Sequence, residues 1–149
     1  MIDTLQAILL ATLVCGTLDA VAAVTQAATL GMKPQRVFQG VASGILGPRS
    51  FERGWNSGAL GIALHFVIAC IISTIYVLAS LHLPFLLQRP LIAGGLYGIA
   101  VFVVMFFIVL PLSRRPKRPF NGKFAATQLL IHIFIIGWFI ALSARYLLR

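Results

Sequence analysis

Thr4–Leu30 reads TLQAILLATLVCGTLDAVAAVTQAATL, a long apolar run interrupted by a single carboxylate, Asp19. The run exceeds the roughly 20 helical residues needed to cross a bilayer. Three further stretches have the same character: Ser57–Leu81, Pro90–Leu112 and Phe124–Tyr146. Together the four account for most of the 149 residues. Hydrophobic residues make up 60% of the chain and charged residues 10%, against about 25% charged in soluble domains. The runs lack period-2 alternation and are too long for barrel strands, so helices are the spanning elements. These features predict an all-α polytopic membrane protein, a single integral membrane domain over residues 1–149 built as a four-helix bundle.

The net charge of +9 is distributed as membrane topology demands. Lys33, Arg36, Arg49 and Arg53 lie in the first loop, and Arg114, Arg115, Lys117, Arg118 and Lys123 in the third. Only Arg89, Arg145 and Arg149 fall on the other side. The positive-inside rule therefore makes loops one and three cytoplasmic and places both termini in the periplasm. RRPKRP, Arg114–Pro119, reads as an anchor on anionic lipid head groups. No aromatic residues are interleaved with it, which argues against nucleic acid. Ala20-Val21-Ala22 has the form of a signal-peptidase site, but the preceding segment is acidic and the apolar run continues beyond it. An uncleaved helix is expected.

Residues 35–46 of the first loop, QRVFQGVASGIL, put Phe38, Val41, Ala42 and Ile45 on one helical face. Pro34 suits the helix start and Gly47-Pro48 its end. The segment is too short to span, and an amphipathic interfacial helix is expected. Its glycines equally permit close packing beneath the bundle or a re-entrant turn. The second loop, His82–Arg89, is short and makes its flanking helices antiparallel neighbours; Ser113–Lys123 should be irregular. A faint parallel repeat relates Gly16–Pro34 to Gly95–Pro116, each followed by a helix bearing a histidine.

Helical spacing gives Asp19 its companions. Thr12, Asp19 and Gln26 share one stripe with Gly16, a small and polar face that should meet other helices. Gly58, Gly61, His65, Ala69 and Ser73 form a matching stripe on the second span, and Ala125, Gln128, His132 and Ser143 on the fourth. Gly94 and Gly98 of the third span form a G-x-x-x-G pair. A rise of about 1.5 Å per residue puts Asp19, His65 and His132 at one depth, roughly 12–16 Å from the cytoplasmic side. An aspartate at a helix centre costs about 2.5–3.5 kcal/mol to insert. Two readings answer that cost: a proton-titrating centre in a small polar cavity, or a buried clasp that fixes helix register.

No nucleophile elbow, P-loop, H-E-x-x-H pair or carboxylate pair occurs, so no catalytic residue is assigned. Asp19, His65 and His132 are acceptable metal-ligand types, but three ligands from three helices are a weak signal; neither metal nor cofactor is expected. Cys15 and Cys70 read as small buried apolar residues. Glu52, between Arg49 and Arg53, is expected to form a local ion pair.

GTLDA, RVFQGVASGILGPRSFERGW, ALGIALHFVIA, LYGIAVFVVMFFIVLPLS and IHIFIIGWFIALSAR together resemble a recurrent pattern of small bacterial membrane proteins. The pattern covers essentially the whole chain and is similar, more distantly, to the YagU-like inner-membrane proteins, a domain of unknown function. The resemblance implies four helices and a bacterial inner membrane, and brings no reaction or substrate with it. Solute or ion handling around the Asp19 level, in a homo-oligomer because four short helices enclose little cavity, is the expected function. An accessory or assembly subunit with a structural clasp is the alternative.

Overall fold

The computed structural model describes residues 2–117 and 119–149. Four long helices dominate: α1 (Ile2–Thr29), α3 (Gly54–His82), α5 (Pro90–Leu112) and α6 (Gly122–Leu148). Each is long and apolar enough to cross a membrane, which makes this an all-α polytopic membrane protein. A short helix, α2 (Pro34–Leu46), and a 3-10 segment, Gly47–Glu52, join α1 to α3. One further helical turn, α4 (Pro84–Gln88), lies between α3 and α5.

The breaks between elements follow from glycine and proline. Gly31 (φ +69°) closes α1 in a Schellman motif, Met32 N–H donating to Ala27 O and Gly31 N–H to Ala28 O, both at 3.0 Å. Leu83 and Arg89 each precede a proline and leave the helical region, with ψ of 89° and 60°. Asn121 caps α6, its side chain accepting from Phe124 N–H at 3.1 Å. Pro111 lacks an N–H and crowds the carbonyl one turn back. The wide π-helical turn Met105–Val109 ends two residues before it. A second π-helical stretch, His132–Gly137, sits in the middle of α6. The spans extend two or three residues beyond their predicted ends at Ser57 and Phe124, starting at Gly54 and Gly122.

The apolar core occupies the end of the molecule that carries the termini and α4. It is built from Ala7, Ala11 and Cys15 of α1, Ala69, Tyr76 and Val77 of α3, and Ile136, Ile140, Ala141 and Ala144 of α6. Mostly small side chains let three helices approach closely there, as expected where lipid offers no hydrophobic driving force between helices. The opposite end, which bears the basic loops, is closed differently. α2 lies across α3 with the Phe38 carbonyl directly against Gly61, a contact with no room for a Cβ. Arg114 N–H donates to Gly44 O at 2.9 Å, tying the end of α5 to α2.

The apolar face of α2 is only partly turned into the bundle. Gln39, Ala42 and Ser43 point inward, while Ile45 is 53% exposed. The buried polar atoms are satisfied locally. Gln39 Nε2 donates to Gly54 O at 3.0 Å, Ser50 Oγ to Gln39 O at 2.6 Å, and Ser57 Oγ to Ser50 O at 2.6 Å. These bonds fasten α2, the 3-10 segment and the first turn of α3 into one unit. The ion pair expected of Glu52 does not form among the described residues; Arg36 instead lies over the Phe51 ring, 5.3 Å from its centroid.

Candidate functional site: the Asp19 level

Asp19, His65 and His132 lie ten or eleven residues from the basic ends of their helices, a depth of roughly 15–16 Å. α1 and α3 run antiparallel and pack closely because Gly16 has no side chain. A Cβ there would stand 2.8 Å from the Phe66 ring and 3.3 Å from Ala69 Cβ. That close approach lets His65 Nε2 reach the backbone carbonyl of Gly16 at 2.8 Å. A carbonyl oxygen only accepts, so Nε2 carries the proton. The other ring nitrogen, Nδ1, faces Asp19 Oδ2 at 3.9 Å.

Nothing else holds the carboxylate. Among the described residues no hydrogen bond reaches Asp19, and its side chain is 23% exposed. The separation from His65 is about 1 Å beyond a hydrogen bond. The His65 ring is fixed edge-on to Phe66 (centroids 5.4 Å apart) and to Phe38 (6.5 Å). Phe38 brings α2 into the site, a contribution absent from the sequence reading. The apolar surround strengthens any interaction between the carboxylate and the imidazole.

His132 approaches from the third side and within electrostatic reach of Asp19, but its hydrogen bond goes elsewhere. Its Nδ1 lies 2.7 Å from the Gln128 carbonyl one turn back in α6, so here Nδ1 carries the proton. The ring packs edge-on to Phe102 at 5.6 Å. Gln128 also bonds through its side chain, Nε2 donating to Gln26 Oε1 at 2.9 Å. This joins α1 to α6 two turns nearer the basic end than Asp19. Thus all five residues of the predicted polar cluster lie in one region, divided into an Asp19–His65 pair and a Gln26–Gln128 bridge with His132 beside it. Among the described residues no three His, Cys, Asp or Glu side chains converge as a metal site.

The predicted packing glycines divide between two jobs. Gly94 and Gly98 meet α6 backbone to backbone: a Cβ on Gly94 would lie 2.9 Å from Ala141 Cβ and 3.0 Å from the Gly137 carbonyl carbon. Gly58 and Gly61 face α2, near Gln35 and Phe38. α2 covers that end of α3. Gly137, overlooked in the sequence, is as tightly enclosed as Gly94, with Gly98 N 3.0 Å from its ideal Cβ. The spacing Gly137-x-x-x-Ala141 was its available signal.

Arg114 and Lys117 are exposed and Arg115 half-buried at the basic end; Arg118 lies outside the described residues. At the other end, Tyr76 OH donates to Leu86 O at 3.0 Å and Tyr97 OH to Ile72 O at 2.6 Å. Their rings flank an apolar groove of about 290 Å³ remote from Asp19. Compared with known proteins, the chain matches no family model, no curated protein and no solved structure.

Proposed function

We propose that this is a small bacterial inner-membrane protein that handles a solute or ion, with linkage to protons, around the Asp19–His65–His132 level. One observation carries this reading. An intramembrane carboxylate stands 3.9 Å from an imidazole nitrogen, partly exposed and unbonded among the described residues. A residue kept only to fasten helices would be expected to complete its hydrogen bonds. In the proposed orientation the basic loops are cytoplasmic and both termini periplasmic. Arg114, Arg115, Lys117 and Arg118 then contact anionic head groups, and α2 lies at the interface. A second copy would enlarge the site, because four short helices enclose little cavity alone. The YagU-like resemblance is in keeping with this location.

The test is proton flux into proteoliposomes carrying a pH-sensitive dye. Asp19→Asn should abolish a pH-dependent flux while leaving the unfolding midpoint in detergent nearly unchanged. Loss of stable membrane accumulation in Asp19→Asn would overturn the reading and favour an accessory or assembly subunit. One bond supports that second reading, that of Gln128 to Gln26. It fastens α1 to α6 without offering an exchangeable group.

A further inference from the structure

The geometry points to Asp19 and His65 as a site for one proton, exchanged between Asp19 Oδ2 and His65 Nδ1, with the two histidines locked in opposite tautomers. The inference rests on the proton-linked reading above and makes that reading's cargo specific. Its basis is the backbone. His65 Nε2 is committed to the Gly16 carbonyl at 2.8 Å, and His132 Nδ1 to the Gln128 carbonyl at 2.7 Å. Neither acceptor can return a proton, so each ring keeps that N–H whatever its overall charge. The nitrogens left to bind and release protons are His65 Nδ1 and His132 Nε2.

Only the first of these has a described partner. Rotation of the Asp19 carboxylate through about 1 Å would bring Oδ2 into hydrogen-bond distance of His65 Nδ1. In the exchange, the Nδ1–H bond of the imidazolium breaks and an O–H bond forms on the carboxylate. The products are a neutral imidazole and a carboxylic acid; the reverse step restores the ion pair. The pair holds the same single proton in both states, and its charge stays at zero. Losing that proton leaves a lone carboxylate in an apolar setting, whose cost keeps the site loaded. Other titratable groups near Asp19 are His132 on α6 and Cys15 on α1. α2 contributes only Phe38 to the pair, its Arg36 lying over Phe51.

The experiment is nitrogen NMR of the full chain in nanodiscs with ¹⁵N-histidine, signals being assigned with His65→Gln and His132→Gln. Across the titration, His65 Nε2 and His132 Nδ1 should remain protonated while His65 Nδ1 changes. In Asp19→Asn the His65 Nδ1 signal should respond, because the carboxylate 3.9 Å away is gone. A neutral His65 protonated on Nδ1, or a transition that ignores Asp19→Asn, overturns the inference. The wild-type tautomers decide the first point even if the variant does not fold. Correct tautomers with no proton flux in liposomes would instead defeat the functional reading and leave the proton site standing.

Discussion

Gly95 and Gly98 occupy the same helix three residues apart, yet alanine should have opposite effects at the two positions. An ideal Cβ on Gly98 would press on the His132 carbonyl oxygen, with the carbonyl carbon at 2.8 Å and Ile133 Cα at 2.9 Å. All three are backbone atoms, so no side chain can swing away. Restoring an ordinary carbon–carbon contact of about 3.5–4.0 Å requires α5 and α6 to separate by nearly 1 Å. Overpacking of this kind costs about 1–3 kcal/mol. At Gly95 the Cβ would meet Trp138 Nε1 at 3.6 Å and Ile133 Cγ2 at 3.8 Å, both ordinary contacts. There alanine should stabilise by about 0.4–1 kcal/mol through the unfolded chain. The two variants should therefore differ by roughly 1.4–4 kcal/mol in steric-trap unfolding, Gly98→Ala being the weaker. Stabilities within about 0.5 kcal/mol of each other, the range of uneventful surface changes, would refute the backbone contact between α5 and α6.

Two further outcomes test other contacts. A double-mutant cycle with Gln26→Leu and Gln128→Leu should give a coupling of about 0.6 kcal/mol and no more than about 1.7 kcal/mol; additive losses would mean the bridge does not form. At the basic end, Arg114→Gln and Lys117→Gln should each weaken retention of anionic lipid by about 1 kcal/mol in lipid-exchange native mass spectrometry, and zwitterionic lipid should not respond.

The sequence made the four spans legible because apolar length is a direct requirement of the bilayer. It also placed Asp19, His65 and His132 at one depth, since helical rise converts residue number into distance. What it could not supply was the choice of hydrogen-bond partner. His65 and His132 bind backbone carbonyls, a capability that every residue shares and that leaves no mark in side-chain spacing. The Gln26–Gln128 bridge joins two positions 102 residues apart, each recognised alone but not as a pair. Which α2 residues the bundle buries was hidden for a different reason. Apolar periodicity identifies an apolar face, but Gln39 is held inward by the Gly54 carbonyl while Ile45 turns outward.

The π-helical turn at His132–Gly137 makes α6 two rulers with different zero points. Ahead of it, Gln128 is indexed to Gln26; beyond it, Ile140 and Ala144 are indexed to the core, where both are 0% exposed. Removing one residue from Ile133–Ile136 would turn the distal half by about 100° relative to the proximal half. Either the core or the Gln128 alignment would then be lost. Descendants of this chain can exchange residues along that stretch, but a change in its length would put the two halves out of phase.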